Sequence, residues 1–230
     1  NILYPSSFEI EYWENKVFMY KRFAETGVKH PKTIICKIKD GIPNNMKFPL
    51  LLKGEHSSSS EDIYKIDSYD HLKQILNSSD YCKKFDHYIF QELIEMRKDL
   101  RVTMVEDKVV LAYWRINPDE EWKPTASNYG SVIKFDDYPE QWDSHFKNSL
   151  KTLGIRMGAF DFVWENDDLS QEPIALEVSP RFSPNPVHDP HNSTYGDWKK
   201  KIFLKDSFTK KQLELIFKIN SEYVSTLKIK

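Results

Sequence analysis

Two carboxylates, Asp161 and Glu177, each interrupt an otherwise apolar run. They sit in the stretch from Met157 to Pro186, which reads as two strands, Gly158 to Trp164 and Pro173 to Val178, joined by the polar turn Glu165 to Glu172. Strand alternation puts Ala159, Asp161 and Val163 on one face of the first strand and Phe160, Phe162 and Trp164 on the other. In the second strand it puts Ile174, Leu176 and Val178 on one face and Ala175, Glu177 and Ser179 on the other. A carboxylate among apolar neighbours is costly to bury unless a cation or a donor compensates it. Hard oxygen ligands on paired strands, with positions left for phosphate oxygens, suit Mg²⁺. Edge-strand carboxylates facing water give the same alternation, so the pattern leaves both readings open.

Basic groups that could face such carboxylates lie upstream. The buried-type strand Phe48 to Lys53 ends in a lysine and leads into a hydroxyl-rich loop, with Ser58 and Ser59 at its tip, before a strand returns to Ile66. Such a loop can close over phosphates while Lys53 supplies a point charge; a flexible serine turn beside a surface lysine is the alternative. Arg115 follows Ala112-Tyr-Trp on an apolar strand, so its guanidinium needs an anion or an exit to solvent. Its strand, Lys108 to Arg115, forms a hairpin with Arg101 to Val105 about the acidic turn Glu106-Asp107. The strand from His87 to Ile94 is broken by Gln91-Glu92, and its end suits a purine, which needs an apolar slot and a few convergent hydrogen bonds.

The remaining elements must hold these groups in place. After a loop containing Pro5, Glu14 to Thr26 has a helical apolar period and stops at Gly27. A strand at Thr33 to Lys37 and a short amphipathic helix at Asp70 to Leu76 follow. Pro139 to Leu153 reads as a helix presenting Trp142, Phe146, Leu150 and Leu153. Arg181 to Trp198 is irregular and proline-rich, with His188 and His191 expected in surface or hydrogen-bonding roles, and Phe208 to Leu227 reads as a closing helix.

At 230 residues the chain can bury a sizeable core. A net charge of −2 offers no bulk attraction to nucleic acid or to an anionic membrane, so an anionic ligand must be held by local bases. No apolar run approaches the roughly 20 residues that span a bilayer, and the first residues lack a signal-peptide layout, so a soluble, cytoplasmic protein is expected. Cys36 and Cys82 have no metal-ligand spacing and are expected to be reduced. Asn1 is not a methionine, which suggests a fragment or a processed product.

Glu177-Val-Ser-Pro-Arg181, one hairpin after Gly158-Ala-Phe-Asp161, resembles the metal-binding end of ATP-grasp ligases, most of which have Asn where Ser179 stands. The formate-dependent glycinamide ribonucleotide transformylase carries the same Glu-Val-Ser-Pro-Arg string. A helix opened by Asn15-Lys16 and followed by Pro-Lys-Thr, and the string Asp99-Leu-Arg101, resemble the ribosomal-protein glutamate ligase group. The resemblance implies an α+β fold of two subdomains, 1–90 and 91–230, enclosing a nucleotide cleft, with a further upstream domain that is expected to be absent from this chain. It implies ATP and Mg²⁺ (or Mn²⁺) as cofactors, with Asp161, Glu177 and Ser179 on the metal. ATP would meet Lys16, Lys53, Ser58, Ser59, Asp99 and the hinge Gln91, Glu92, Leu93 and Ile94. Arg101, Arg115 and Arg181 would serve the transferred phosphoryl group and the carboxylate substrate. The implied activity is a carboxylate–amine ligase acting through an acyl phosphate, on a carboxylate and an amine the sequence does not identify. A small-molecule kinase of the same fold, or a nucleotide-binding module with weak turnover, are the alternatives. The loop after Gly54 lacks the glycines usual in the family, and Ser131 replaces the second glycine of a pair.

Overall fold

The structure, a computed structural model, describes residues 5–56, 60–126, 129–134 and 138–180, with the side chain of Val110 left aside. Arg181, the histidines at 188 and 191, the closing helix, and Ser58 and Ser59 lie outside the described residues.

The chain begins with two helices where the sequence suggested one preceded by a loop. Helix α1 (Ser7–Glu14) is opened by a reciprocal capping box, in which the Ser6 hydroxyl accepts from the Glu9 N–H and the Glu9 carboxylate accepts from the Ser6 N–H. Asn15 then ends α1 and caps helix α2 (Lys16–Thr26), its side chain accepting from the Phe18 N–H at 3.0 Å. Gly27 closes α2 at φ 75°, a left-handed conformation that glycine adopts without Cβ strain.

A four-stranded antiparallel sheet follows, in the order β1-β4-β2-β3, from β1 (Thr33–Lys37), β2 (Leu50–Lys53), β3 (Ile63–Ile66) and β4 (His87–Glu92). Helices α3 (Tyr69–Ser78) and α4 (Tyr81–Lys84) contribute Leu72 and Tyr81 to a core with Leu50, Leu52, Ile66 and Phe90. The β2–β3 connection is tight at its base, where the Gly54 N–H donates to the Asp62 carbonyl at 2.8 Å. A Cβ on Gly54 would sit 2.7 Å from Phe85 Cζ and 2.9 Å from Asp62 Cβ. Gly54→Ala is therefore expected to destabilise the protein by about 1–3 kcal/mol through overpacking, read as a lower urea midpoint with unchanged m-value.

The second sheet has the order β7-β6-β5-β8-β9 and is antiparallel throughout. Its strands are β5 (Lys98–Val105), β6 (Lys108–Ile116), β7 (Val132–Lys134), β8 (Met157–Val163) and β9 (Ile174–Ser179), with α5 (Asp143–Thr152) before β8. One face packs Leu100, Val102, Met104, Phe160 and Phe162 against Phe146 and Leu150 of α5. The same core takes Tyr12 of α1 and Val17, Met19, Tyr20 and Phe23 of α2, so the N-terminal helices pack on this sheet.

The opposite face carries the polar residues, and its register corrects the simple alternation read for β9. Asp161 pairs with Glu177, but the next pair is Phe162 with Ala175, so Leu176 is an extra residue on β9. Ala175 and Val178 consequently enter the main core, while Ile174 and Leu176 join Ile94, Val163 and Met96 in a small separate cluster. The bulge turns two consecutive side chains, Leu176 and Glu177, away from the main core.

Candidate functional site

The polar face is organised as a row running across four strands. Cross-strand pairing aligns Glu177 on β9, Asp161 on β8, Arg101 on β5 and Tyr113 on β6. Two residues along, Asp99 on β5 pairs with Arg115 on β6 on the same face. Arg101 Nη1 lies 3.2 and 3.3 Å from the two Asp161 oxygens. Arg115 holds Asp99 bidentately, Nε donating at 2.7 Å and Nη2 at 2.5 Å, and reaches Asp161 Oδ2 at 2.8 Å. The Thr125 hydroxyl donates to Asp99 at 2.6 Å.

The electrostatics follow from this arrangement. Burial pushes the Asp161 carboxyl up, but Arg101 and Arg115 together outweigh it and hold it below the usual carboxylate range. Burial of Asp99 raises its carboxyl above the ordinary value, with Arg115 and Thr125 pulling back. Desolvation alone would lower Arg115, yet Asp161 and Asp99 hold it well above its usual value, so its charge is permanent.

Two lysines approach the row from the other side. Lys16, at the start of α2, is 4% exposed and places Nζ 3.9 Å from Glu177 Oε2. Lys53, at the end of β2, is 7% exposed and donates to the Tyr20 hydroxyl at 3.1 Å. Burial draws the Lys53 amine down to about 8, while Glu177 and Asp161 resist the drop. The Tyr20 hydroxyl in turn donates to the Leu176 carbonyl at 3.1 Å, so the bulge of β9 is tied through α2 to the lysine of the other sheet.

The structure thus brings Lys16, Lys53, Arg101, Arg115, Asp161 and Glu177 into one neighbourhood. Asp161 is not a water-facing edge carboxylate, its side chain being 13% exposed on an inner strand, whereas Glu177 stands on the edge strand at 34%. Ser179 lies two residues beyond Glu177 and is buried. Asp99 backs Arg115 with both oxygens, and Gln91, also buried, donates from Nε2 to the Thr33 hydroxyl between strands. The Glu92 carboxylate accepts from the Lys32 N–H at 2.8 Å, fixing the start of the 92–94 segment. Leu93 is half-buried, and Ile94 packs in an apolar cluster with Val163, Ile174, Met96 and Leu176. No group of three or more His, Cys, Asp or Glu side chains close enough to hold a metal occurs among the described residues.

The sequence carries a family signature over the same elements. The family model described as a RimK-like ATP-grasp domain matches residues 14–139, more than half of the chain. The chain belongs to the RimK-like ATP-grasp family. This match spans Lys16, Lys53, Gln91 to Ile94, Asp99, Arg101 and Arg115, and stops short of β8 and β9. Among named relatives, α-aminoadipate–LysW ligase LysX of Sulfurisphaera tokodaii is 24% identical over 120 residues, covering 50% of this chain and 42% of its own. A probable α-L-glutamate ligase of Legionella pneumophila is 23% identical over 162 residues, covering 68% of this chain and 51% of its own. The chain therefore spans about half the length or less of these relatives. In fold, D-alanine–D-alanine ligase from Bacillus anthracis superposes with a TM-score of 0.57 at 13% identity, over 94% of this chain and 71% of that one.

Three contributors to this charged neighbourhood were not legible as such. Tyr20 has the spacing of an ordinary apolar helix position, Thr125 lies in an irregular polar loop, and Tyr113 sits in an apolar strand. Only the strand register and long-range packing place them beside the charged row.

Proposed function

We propose that this RimK-like domain is the catalytic core of an ATP-dependent carboxylate–amine ligase, which forms an amide through an acyl phosphate. The observation that carries the reading is the convergence of Lys16, Lys53, Arg101 and Arg115 on the paired carboxylates Asp161 and Glu177. Phosphoryl transfer asks a protein for positioning and for positive charge around spread negative charge, and little acid–base machinery. An oxygen of the substrate carboxylate attacks the γ-phosphorus of ATP, the bond to the bridging oxygen breaks, and ADP leaves. The amine then attacks the acyl carbon and phosphate departs.

In this reading the 92–94 segment and the apolar cluster of Ile94, Met96, Val163, Ile174 and Leu176 receive the adenine, with Gln91 and Asp99 bracing the strands beneath. Lys16 and Lys53 meet the phosphates, and Ser58 and Ser59 are assigned to the same ligand. Arg101 and Arg115 face the transferred group, and Arg181 takes the substrate carboxylate. Asp161 and Glu177 fit Mg²⁺ or Mn²⁺, because they are cross-strand partners, Asp161 is held ionised, and carboxylates are the hard donors such an ion prefers. Ser179 would add a hydroxyl from the same strand, and phosphate oxygens and water would complete the set. When bound, the ion supplies positive charge at the phosphate oxygens.

Both curated relatives above are named for acidic amino acids, glutamate and α-aminoadipate, and an α-amino dicarboxylic acid is accordingly the substrate class we assign. No helix among the described residues is long and apolar enough to cross a membrane. The test is ADP release from ATP and Mg²⁺ with α-amino dicarboxylic acids and carboxylates, each with and without an amine. Release that requires both a carboxylate and an amine supports the ligase. Release onto polyols with no carboxylate requirement would instead assign the kinase reading.

The Lys53 amine adds a pH signature. Its charge is present below about 8 and lost above, so kcat/KM for ATP is expected to decline as pH rises through about 8. In Lys53→Arg the guanidinium stays charged and that decline should disappear from the profile, whatever the change in absolute rate.

A further inference from the structure

A concave feature lies away from this row. A cavity of about 420 Å³ opens beside β1, lined by Lys21, Ile35, Lys37, Lys39, Asp40 and His87. Lys21, Lys37 and Lys39 are exposed, and none has a carboxylate at ion-pair distance among the described residues. Asp40 is the one acidic side chain in the lining. His87 is oriented from behind by Glu55, a 6% exposed carboxylate whose oxygens lie 3.1 and 3.2 Å from Nδ1.

Among the described residues, the backbone beside this cavity is an open sheet edge. Strand β1 is the outer strand of its sheet. The Glu92 N–H donates to the Lys32 carbonyl and the Ile38 N–H to the Asp86 carbonyl, which fixes the ladder phase. Ile34 and Cys36 therefore direct their backbone groups toward β4, whereas Thr33, Ile35 and Lys37 direct theirs outward. Side chains alternate in the other sense. Ile35 packs toward α2, which carries Lys21, while Ile34 projects from the opposite face and is 46% exposed.

We propose that β1 and this cavity form a docking edge for an extended acidic peptide, which adds as a further strand beside β1. The outward N–H and C=O groups of Thr33, Ile35 and Lys37 supply the main-chain bonds. Carboxylates at alternate positions of the peptide meet Lys21, Lys37 and Lys39, and the intervening apolar side chains cover Ile34. A small anion would use the lysines and leave the edge groups and Ile34 without a role, and a nucleic-acid strand would do the same. The ligase chemistry is not involved, because none of these residues belongs to the charged row.

The test uses the full chain and fluorescence anisotropy with a labelled peptide of about eight residues, the span of an ordinary strand, alternating glutamate and valine. Binding is expected, weakening as salt is raised. The triple variant Lys21→Glu, Lys37→Glu, Lys39→Glu should weaken it at least about tenfold, and Lys37→Glu alone should give a smaller loss in the same direction, with circular dichroism confirming the fold of each. A peptide of the same composition with its glutamates in one block, and the alternating peptide N-methylated at every second residue, should each bind at least about tenfold more weakly. Equal binding of either control, equal competition by inorganic triphosphate or an oligonucleotide, indifference to the lysine reversals, or no binding at all would overturn the proposal.

Discussion

Arg115→Met is expected to cost about 3–5 kcal/mol of folding stability at neutral pH, among the largest losses available to a single substitution here. The guanidinium is the principal counter-charge of Asp99, whose side chain is 1% exposed, and it also bonds Asp161. Methionine fills much of the volume but leaves Asp99 without its bidentate partner in a site water scarcely reaches. Arg115→Lys should recover only part of the loss, since an ammonium cannot reproduce the fork that spans both Asp99 oxygens. Adding Asp99→Asn to Arg115→Met should also recover part, because the stranded charge is then removed. Asp161 sharpens the pH dependence. Its folded-state value is depressed, so its stabilising contribution is present above the unfolded value near 3.9 and is lost as pH falls through the folded one. The gap between wild type and Arg115→Met in urea unfolding should accordingly narrow below about pH 4. A gap under about 1 kcal/mol at pH 7 would show that this ion network does not hold the sheet.

The second large effect concerns turnover. The pair Asp161→Asn with Glu177→Gln is expected to lower ADP release by about 10³-fold or more while leaving the protein folded. Neutral amides keep the shapes of both side chains and Arg115 retains Asp99, so the protein stays folded while giving up the stabilising contribution of ionised Asp161. What disappears is the paired negative charge that the proposed ion requires. Glu177→Gln alone should be the milder change, because this side chain is half-exposed and lies 3.9 Å from Lys16, while Asp161 is bonded to two arginines. Steady-state ADP release with circular dichroism on the same samples decides the matter. Wild-type turnover in the double variant would remove the metal assignment, whereas nucleotide binding with no turnover in either protein would favour a nucleotide-binding module.

Much of this architecture was legible from local pattern. The hairpin of β5 and β6, the strand ending in Lys53 and the two faces of β8 all follow from alternation and turn chemistry. The β9 faces do not, because period-two reasoning assumes one residue opposite one, and Leu176 has no partner of its own. Helix α1 left a trace in Ser6 and Glu9, spaced as a capping box, but Pro5 beside them reads as a loop. The need of Arg115 for an anion could be argued from its apolar strand. The identity of that anion could not, since Asp99 becomes its neighbour only through the β5–β6 register. Tyr20 is the extreme case, joining residues 33 and 156 positions away that no local window contains.

The three carboxylates of the polar face also form a hydration gradient. From the sheet rim inward the exposed fraction of the side chain falls from 34% at Glu177 to 13% at Asp161 and 1% at Asp99. Glu177 would offer a cation the wettest oxygen and Asp161 a drier one, so that water stays at hand beside the outer of the two proposed ligands. The driest carboxylate, Asp99, is already committed to Arg115 and would take no part in holding an ion. The edge placement of β9, ordinarily a liability for a sheet, here gives the face a graded threshold in place of an abrupt wall.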